Sequence, residues 1–145
     1  MEKILVAADH GGAVLAQALT RWLKENDYQV ENVGAQAPTP RQDAPEMADR
    51  VLPHVKNGQA RGILICSSGV GMSIRANRYI GIRAAVVTSE TAARHCREHN
   101  DANVLCLGAH IVAEQLAIEL VKVFLETEFL ARDRYIRRNQ ALDIL

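Results

Sequence analysis

The sequence has no excess of charge of either sign, because 17 Lys and Arg residues balance 17 Asp and Glu residues among its 145 residues. A neutral chain has no overall field that draws it toward nucleic acid or an anionic membrane. Aromatic residues make up only 4% of the chain, which further disfavours a nucleic-acid-binding surface. We therefore expect the partner to be a small molecule or another protein, with no nucleic acid and no membrane.

Long hydrophobic runs and ordered cysteine patterns are also lacking. The longest apolar runs are a handful of residues, and the N-terminal segment MEKILVAADH has neither the apolar core of a signal peptide nor the length to span a bilayer. The three cysteines are odd in number and irregularly spaced, which argues against a disulfide framework and suits a reducing compartment. These absences predict a cytoplasmic protein.

Five short apolar runs alternate with longer amphipathic segments, as strands alternate with helices. The predicted strands lie at residues 3–8, 28–34, 61–66, 83–87 and 103–108. Strands joined by helical crossovers form a parallel sheet covered on both faces. The sequence therefore predicts one domain over residues 1–145: a doubly wound, Rossmann-like α/β fold with a five-stranded parallel sheet of order 2-1-3-4-5 and a C-terminal helix. Residues 34–45 form one long loop, and Pro53 predicts a kink or early stop in the second helix.

Two of the predicted strands end in side chains that can carry chemistry. The first strand is followed by Asp9 and His10, and the third ends at Cys66. A ligand of an open parallel sheet sits beyond the carboxyl ends of the strands, where the strand order reverses. The order 2-1-3-4-5 makes these two strands neighbours at that point. We therefore expect the three side chains to face one crevice.

The turn after Cys66, with the sequence SSGVG, is typical of a cradle for an anion. Gly69 and Gly71 allow backbone N–H groups to approach a ligand, and a helix that begins near Gly71 directs its positive end to the same place and favours a thiolate. The turn matches neither a Walker A loop nor G-x-G-x-x-G, so it does not specifically indicate a nucleotide phosphate. The alternative is an ordinary tight turn after a core cysteine.

Residues 95–110, with the sequence HCREHNDANVLCLGAH, raise the question of a metal site. The potential ligands are His95, Cys96, His99, Cys106 and His110. His95 and His99 are four residues apart and are expected on one helix face. Neither C-x-x-C nor H-E-x-x-H occurs, and Cys106 lies inside an apolar strand, so we predict no metal. A histidine in the last helical turn also has a simpler interpretation, a favourable contact with the helix dipole.

The C-terminal segment ARDRYIRRNQ concentrates arginines. Arg134 and Arg138 are four residues apart, so they share a helix face on which two guanidinium groups can bind a phosphate. The alternative is a solvated charged face.

Together these features resemble the ribose-5-phosphate isomerase B family, which also includes the galactose-6-phosphate and allose-6-phosphate isomerases. The resemblance covers essentially the whole chain. It rests on DHGG at 9–12, ILICSSGVGMSIRANR at 63–78 followed by GIRAAV, HNDANVLCLG at 99–108, and a terminal R-x-x-x-R helix. It implies an aldose–ketose isomerase of the pentose phosphate pathway that interconverts ribose 5-phosphate and ribulose 5-phosphate, with no metal and no organic cofactor.

The resemblance also implies a role for each matching residue. Cys66 resembles the base that moves a proton between C1 and C2 through a cis-enediolate, and His99 the acid that opens the sugar ring. The Ser68 hydroxyl resembles a threonine that shuttles protons between the substrate oxygens. Residues expected to bind the substrate are Asp9, His10, Ser67, Ser68, Gly69, Val70, Gly71, Asn100, His110, Arg134 and Arg138. A positioned base with nearby donors suits this reaction, because a proton next to a carbonyl is only weakly acidic.

His99 and Cys66 fall at opposite ends of the predicted sheet, because a helix that runs back from the fourth strand ends at the amino edge. The sequence therefore predicts that His99 and Asn100 act in the crevice of a neighbouring chain. This arrangement gives a homodimer whose sites are shared between subunits, as the family resemblance also implies. Pairing of dimers into a tetramer stays open.

Several positions depart from the pattern usual in the family, and they lie around the substrate. They are Ala44 for tyrosine, Ser67 for glycine, Ser68 for threonine, Arg75 for alanine, His110 for arginine and Tyr135 for histidine. We expect an altered substrate preference to show first at Ser67, with Arg75 nearby.

Three alternative functions fit parts of this pattern. An isomerase of another phosphosugar, such as allose 6-phosphate or galactose 6-phosphate, needs the same residues. A non-catalytic phosphosugar sensor needs only the anion cradle and the arginines, whereas Cys66, Ser68 and His99 together favour catalysis. A flavodoxin-like nucleotide binder lacks a nucleotide motif beyond the glycine turn.

Overall fold

The computed structural model describes residues 2–144 and has the predicted α/β architecture. The strands are β1 (Lys3–Ala8), β2 (Gln29–Asn32), β3 (Ala60–Cys66), β4 (Ala84–Val86) and β5 (Val104–Gly108). The helices are α1 (Ala13–Glu25), α2 (Ala44–Asp49), α3 (Leu52–Lys56), α4 (Val70–Ala76), α5 (Glu90–Glu98), α6 (Glu114–Glu126) and α7 (Asp133–Leu142). A short 3-10 turn, His10–Gly12, links β1 to α1. Among residues 2–144, no helix is both long and apolar enough to cross a bilayer.

The sheet is parallel throughout and has the order β2-β1-β3-β5-β4. The doubly wound fold is therefore confirmed, but the predicted order 2-1-3-4-5 interchanges the last two strands. All five residues of β5 are buried, whereas the three residues of β4 are partly or fully exposed. The longer apolar strand takes the interior position beside β3, where both faces are covered, and the shorter strand takes the edge.

Helices cover both faces of the sheet and divide the core into two clusters. One cluster, with Leu19 and Phe124 among its fully buried side chains, packs against α1, α5 and α6. The other, with Met47 and Met72, packs against α2, α3 and α4. Cys66 belongs to the second cluster, so its side chain lies on the face of the sheet that α4 covers.

The second predicted helix is broken into α2 and α3, and Pro53 lies in the first turn of α3. Proline is tolerated there because an N–H in the first turn of a helix has no acceptor inside the helix, so its absence from proline costs no hydrogen bond. The predicted long loop over residues 34–45 is confirmed as far as residue 43, since residues 33–43 contain no helix or strand and α2 begins at Ala44. This loop reaches the carboxyl end of the sheet, where the Gln42 carbonyl lies 3.1 Å from His10 Nδ1.

Candidate active site

The carboxyl ends of β1 and β3 bring Asp9, His10 and Cys66 to one edge of the sheet. The Asp9 N–H donates to the Ile65 carbonyl at 3.2 Å, which fixes the end of β1 against the end of β3. Asp9 Oδ1 accepts a hydrogen bond from the Gly12 N–H at 3.1 Å and so closes the 3-10 turn. This edge corresponds to the crevice that the sequence predicts.

The Cys66 side chain receives a hydrogen bond from the turn that follows it. Cys66 is 6% exposed, and the Gly69 N–H donates to its Sγ at 3.1 Å. Gly69 has a φ of +80°, and a side-chain carbon there would lie only 2.9 Å from the Leu107 carbonyl carbon. The turn therefore requires glycine, and an N–H aimed at sulfur is placed to stabilise negative charge on it.

The remaining residues of the turn are open to solvent. Ser68 is exposed, and its Oγ accepts from the Val70 N–H at 3.2 Å. Gly71 is also exposed, and a side-chain carbon at this position would meet no atom within 4 Å. A ligand or a second chain therefore has room to approach the backbone at Gly71.

The loop after β5 also joins this edge. The His110 N–H donates to the Ser67 carbonyl at 3.0 Å, and the His110 side chain is exposed. Ser67 in turn lies against Gly11, where a side-chain carbon would be 2.6 Å from Ser67 Oγ. All the predicted substrate-binding residues from Asp9 to Gly71, together with His110, thus lie along the carboxyl ends of β1, β3 and β5.

The other two thiols are poorly suited to chemistry. Burial raises the pKa of the Cys96 thiol to about 11, with the Arg97 charge opposing that shift. Cys106 is fully buried in β5, and burial, followed by the proximity of Cys66, holds its pKa well above the ordinary value. A neutral buried thiol is a weak nucleophile and base, and of the three buried thiols it is Cys66 whose sulfur accepts a backbone N–H from the glycine turn, so Cys66 is the thiol of interest.

His99 and Asn100 lie at the opposite end of the sheet from Cys66. His99 follows the last residue of α5, and the chain then leads into the amino end of β5. Cys66 pairs with Gly108 at the carboxyl end of the same strand. The five residues of β5 span about 13 Å, so one chain does not bring His99 to Cys66.

His99 belongs to a stack of four side chains. The ring centroids of His95 and His99 are 4.6 Å apart, and those of His99 and Tyr135 are 4.7 Å apart. The Arg134 guanidinium lies over the Tyr135 ring, 4.8 Å from its centroid. This histidine–tyrosine stack places the predicted ring-opening acid and a predicted phosphate-binding arginine on one surface.

Two residues that sequence reasoning missed hold the turn at His99. The buried Asn139 of α7 donates from Nδ2 to the His99 carbonyl at 3.1 Å and accepts from Asn100 Nδ2 at 3.2 Å. Arg83 donates from Nε to the Asn100 carbonyl at 2.7 Å and from Nη1 to Asp143 Oδ2 at 2.7 Å. No local sequence signal reveals these partners, because they are 17 to 60 residues apart in the chain.

Of the positions that depart from the family pattern, Arg75 is bound by a carboxylate of a neighbouring helix, while its side chain stays 40% exposed. Its Nε and Nη2 donate to the two carboxylate oxygens of Asp49, at 2.8 and 2.7 Å, and the Tyr79 hydroxyl donates to the same carboxylate at 2.8 Å. The hydrogen bond from Arg75 lowers the pKa of Asp49. Arg75 therefore joins α4 to α2 and is not a free cation beside Ser67.

The five potential metal ligands of residues 95–110 are only partly brought together. His95 and His99 share a helix face as expected, and Glu98 lies beside them, with one ligand atom from each residue within 4.8 Å of the others. Cys96 points into the core, Cys106 lies inside β5 and His110 lies at the carboxyl edge. Three of the five candidate ligands are therefore separated from the histidine pair.

The phosphate-binding residues of the C-terminal helix are exposed. Arg134 lies over Tyr135, and Arg138 follows one turn later on α7. Both lie near the His99 end of the molecule, since Asn139 of the same helix contacts His99 and Asn100. The predicted site thus falls into two groups at opposite ends of the sheet: one around Cys66 and one around His99.

Comparison with known proteins shows the same fold and related sequences over almost the whole chain. Residues 4–142 match the family described as Ribose/Galactose Isomerase. The solved structure of ribose-5-phosphate isomerase B from Clostridium thermocellum is similar, with a TM-score of 0.93, 40% identity and coverage of 97% of this chain and 95% of that chain. Ribose-5-phosphate isomerase B of Escherichia coli (strain K12) is 38% identical over 130 residues, which are 89% of this chain and 87% of that protein.

A relative with a different substrate name is also similar. The 4-deoxy-4-sulfo-D-erythrose isomerase of Clostridium sp. (strain MSTE9) is 35% identical over 128 residues, which are 88% of this chain and 80% of that protein. The extent of these matches, together with a sheet that ends in the Asp9–Cys66 edge, establishes that the chain belongs to the Ribose/Galactose Isomerase family.

Proposed function

We propose that this chain interconverts ribose 5-phosphate and ribulose 5-phosphate through a cis-enediolate, with Cys66 as the base. Membership of the Ribose/Galactose Isomerase family makes it an aldose–ketose isomerase of phosphosugars. The proposal adds the substrate and the residues that act on it. The observation that carries it is the hydrogen bond from the Gly69 N–H to Cys66 Sγ, which stabilises a thiolate at the predicted crevice.

The proposed reaction moves one proton between adjacent carbons. His99 donates a proton to the ring oxygen while solvent accepts the proton of the O1 hydroxyl, which opens the sugar to the free aldehyde, and His99 then regains a proton from solvent. The Cys66 thiolate then removes the proton from C2, and the backbone N–H groups of residues 67–71 stabilise the enediolate oxygens. The Ser68 hydroxyl carries a proton between O1 and O2, and the Cys66 thiol returns its proton to C1. The ketose forms with thiolate and serine restored.

The substrate is held at both ends in this proposal. Asp9, His10 and Asn100 bind sugar or phosphate oxygens; the Oδ1 of Asn100 is an acceptor for a hydroxyl, while its Nδ2 donates to Asn139. His110, Arg134 and Arg138 provide cationic or hydrogen-bonding groups for the phosphate. No metal or organic cofactor enters these steps.

The separation of Cys66 from His99 supports a site shared between two copies of the chain. Four exposed apolar side chains surround the turn at Gly69, and their exposed fractions are 49% for Val70, 58% for Ile74, 43% for Val86 and 58% for Ile111. Such a cluster at the predicted crevice is typical of a protein interface. We propose an isologous homodimer in which each His99 and its neighbours complete the other chain's crevice. Pairing of dimers into tetramers is compatible with it.

A different phosphosugar is the second candidate substrate. The specific observation is the contact between Ser67 Oγ and Gly11, since it fills space at the crevice that a glycine at position 67 would leave open. An allose 6-phosphate or galactose 6-phosphate isomerase would use the same base and acid.

The location of the protein is a separate prediction. The cysteines that the structure describes are all free, as expected in a reducing compartment, and a cytoplasmic location stays a prediction.

The test is proton NMR of ribose 5-phosphate in deuterated water with the wild-type chain and with Cys66→Ala. We expect enzyme-dependent formation of ribulose 5-phosphate, and its loss in Cys66→Ala. Turnover of a hexose phosphate alone would change the substrate but keep the mechanism. Binding without turnover across pentose and hexose phosphates would contradict the proposal and favour a sensor, and thermal shifts with nucleotides but not sugar phosphates would favour a nucleotide binder.

A further inference from the structure

We propose that His95, Glu98 and His99 form a binding site for a borderline divalent cation such as Zn²⁺, and that an ion bound there inhibits the isomerase by occupying His99. The second part of this proposal rests on the proposed function, because it takes His99 as the acid that opens the sugar ring. The first part rests only on the geometry of the carboxyl end of α5.

The three side chains are grouped as metal ligands require. One ligand atom from each residue lies within 4.8 Å of the other two. In a tetrahedral zinc site the ligand atoms are about 3.3 Å apart, because zinc–nitrogen distances are about 2.0–2.1 Å. His95 is exposed and Glu98 is only partly buried, so both side chains are free to rotate and shorten these distances, the His95 ring by leaving its stacked position on His99.

The backbone that carries the ligands is fixed in place. The Leu130 N–H donates to the Glu98 carbonyl at 3.1 Å, and Asn139 Nδ2 donates to the His99 carbonyl at 3.1 Å. Tyr135 stacks on the His99 ring and limits its rotation. Metal bonds lie in the plane of an imidazole, so the stack of Tyr135 on His99 is kept when an ion binds, whereas the His95 ring turns out of its stacked position on His99 to direct a nitrogen at the same ion.

The ligand groups are free to bind. Across residues 2–144, no hydrogen bond or ion pair engages the rings of His95 and His99 or the carboxylate of Glu98. A metal therefore displaces no hydrogen bond or ion pair, and the contact it changes is the stacking of His95 on His99. The next acidic residue, Asp101, is already paired with Arg97 at 2.8 Å.

The ligand set selects the class of ion. Two neutral imidazoles and one carboxylate suit Zn²⁺, Co²⁺, Ni²⁺ or Cu²⁺, whereas Mg²⁺ and Ca²⁺ prefer oxygen ligands. Three protein ligands leave the fourth tetrahedral position for water. The ion in this site is an inhibitor and takes no part in the isomerisation, so the site differs from a catalytic metal centre.

Inhibition follows from the proposed role of His99. A nitrogen lone pair bonded to a metal cannot carry the proton that the ring oxygen must receive. Because His99 is proposed to act in the crevice of a neighbouring chain, the ion would also place a positive charge at the mouth of that crevice.

Binding is tested with the Cys66→Ala chain, which removes a competing thiolate. We expect one Zn²⁺ per chain by isothermal titration calorimetry, and visible absorption of a tetrahedral site with Co²⁺. Adding His95→Ala to this chain is expected to weaken binding by about tenfold or more, since loss of even an outer partner of a metal ligand costs about that much. Glu98→Gln should weaken it in the same direction.

His54→Ala is the matched control, because His54 lies exposed on α3, contacts Gln59 and is away from the histidine–tyrosine stack. It is expected to leave zinc binding unchanged. Binding that is equally tight in the His95→Ala chain would overturn the proposed site. Because this binding experiment does not measure activity, it tests the metal site even if the chain turns over no phosphosugar.

Inhibition is tested on the chain with Cys66 intact. We expect Zn²⁺ to inhibit turnover, a chelator to restore it, and turnover by His95→Ala, taken relative to its own zinc-free rate, to resist the same zinc concentration. If zinc binds at His95 without slowing turnover, the proposed inhibition through His99 is wrong, while the proposed binding site stands. Equal inhibition of His95→Ala would place the inhibitory ion elsewhere and contradict the proposal.

Discussion

Two glycines of one turn have opposite steric requirements. Gly69 has a φ of +80° and a carbonyl carbon 2.9 Å from where a Cβ would lie, whereas Gly71 faces open space. We expect Gly69→Ala to lower the free energy of unfolding by about 1–3 kcal/mol. Gly71→Ala, within the first turn of α4, should raise stability by about 0.5–1 kcal/mol. Urea denaturation measures both changes.

The same pair separates structure from function. If backbone at Gly71 approaches the enediolate, Gly71→Ala should lower kcat/KM by tenfold or more, about 1.4 kcal/mol, despite a more stable fold. Unchanged kcat/KM in a folded Gly71→Ala chain would remove Gly71 from the proposed site.

Cys96 is expected to make stability depend on pH in the alkaline range. Its pKa is about 11 in the folded chain and about 8.5 when exposed, so burial favours the neutral thiol. A raised folded pKa contributes stability below pH 8.5, and that contribution is lost as pH rises toward 11. Over this range the unfolded state releases a proton that the folded state keeps.

The measurement is the free energy of unfolding against pH. The wild-type slope between pH 9 and 10.5 should be steeper than that of Cys96→Ala or Cys96→Ser by about 1 kcal/mol per pH unit. The two variants differ in polarity but neither titrates, so they should share the shallower slope. Equal slopes in all three chains would contradict burial of a neutral thiol.

At the scale of elements, α7 is tied to the turn at His99 by Arg83. Its guanidinium bonds Asp143 near the end of α7 and the carbonyls of Asn100 and Asp101. Arg83→Ala should destabilise the fold by about 1–3 kcal/mol, because it leaves these acceptors without their donor. Hydrogen exchange in α7 should accelerate, and KM for the phosphosugar should rise because Arg134 and Arg138 lie on that helix.

Arg78→Ala is the control for this prediction. Arg78 is exposed, and among residues 2–144 its side chain makes no hydrogen bond or ion pair. It removes the same charge without releasing α7. Equal hydrogen exchange in α7 of both variants would show that Arg83 does not anchor the helix.

Hydrophobic patterning predicts the elements here better than their arrangement. The five strands, the long loop and the helix break at Pro53 follow from local patterns of apolar and turn residues. The order of β4 and β5 does not, because it depends on which strand is covered on both faces. The segments that form β4 and β5 are both apolar in sequence, and only the packing of the sheet shows that β4 lies exposed at the edge.

The residues of the candidate site also fall into a group that the sequence predicts and a group that it does not. Asp9, His10 and Cys66 are predictable because strand ends meet at one edge of a parallel sheet. Arg83, Asn139 and the stack on Tyr135 are not, since they depend on contacts between residues 17 or more positions apart. Such contacts are fixed by tertiary packing and leave no local pattern.

At the scale of the whole molecule, the exposed apolar side chains around the glycine turn are expected to form the dimer interface. Ile74→Glu places a charge at a side chain that is 58% exposed in the single chain. A buried unpaired charge opposes association. We expect a monomer by analytical ultracentrifugation and loss of most activity, since His99 of a second chain is then missing.

Leu116→Glu is the control for this surface. Leu116 lies on α6, on the other face of the sheet from α4, and is 36% exposed. It should remain dimeric and active. An active monomeric Ile74→Glu chain would contradict a shared site.

The most direct test of the shared site is complementation between two inactive chains. Cys66→Ala and His99→Ala are mixed in equal amounts, dissociated and reassociated, and turnover of ribose 5-phosphate is measured. Random pairing makes half of the dimers mixed, and each mixed dimer has one intact site, so activity should recover to about a quarter of the wild-type value. No recovery, in dimers that ultracentrifugation shows to be mixed, would contradict a site built from Cys66 of one chain and His99 of the other.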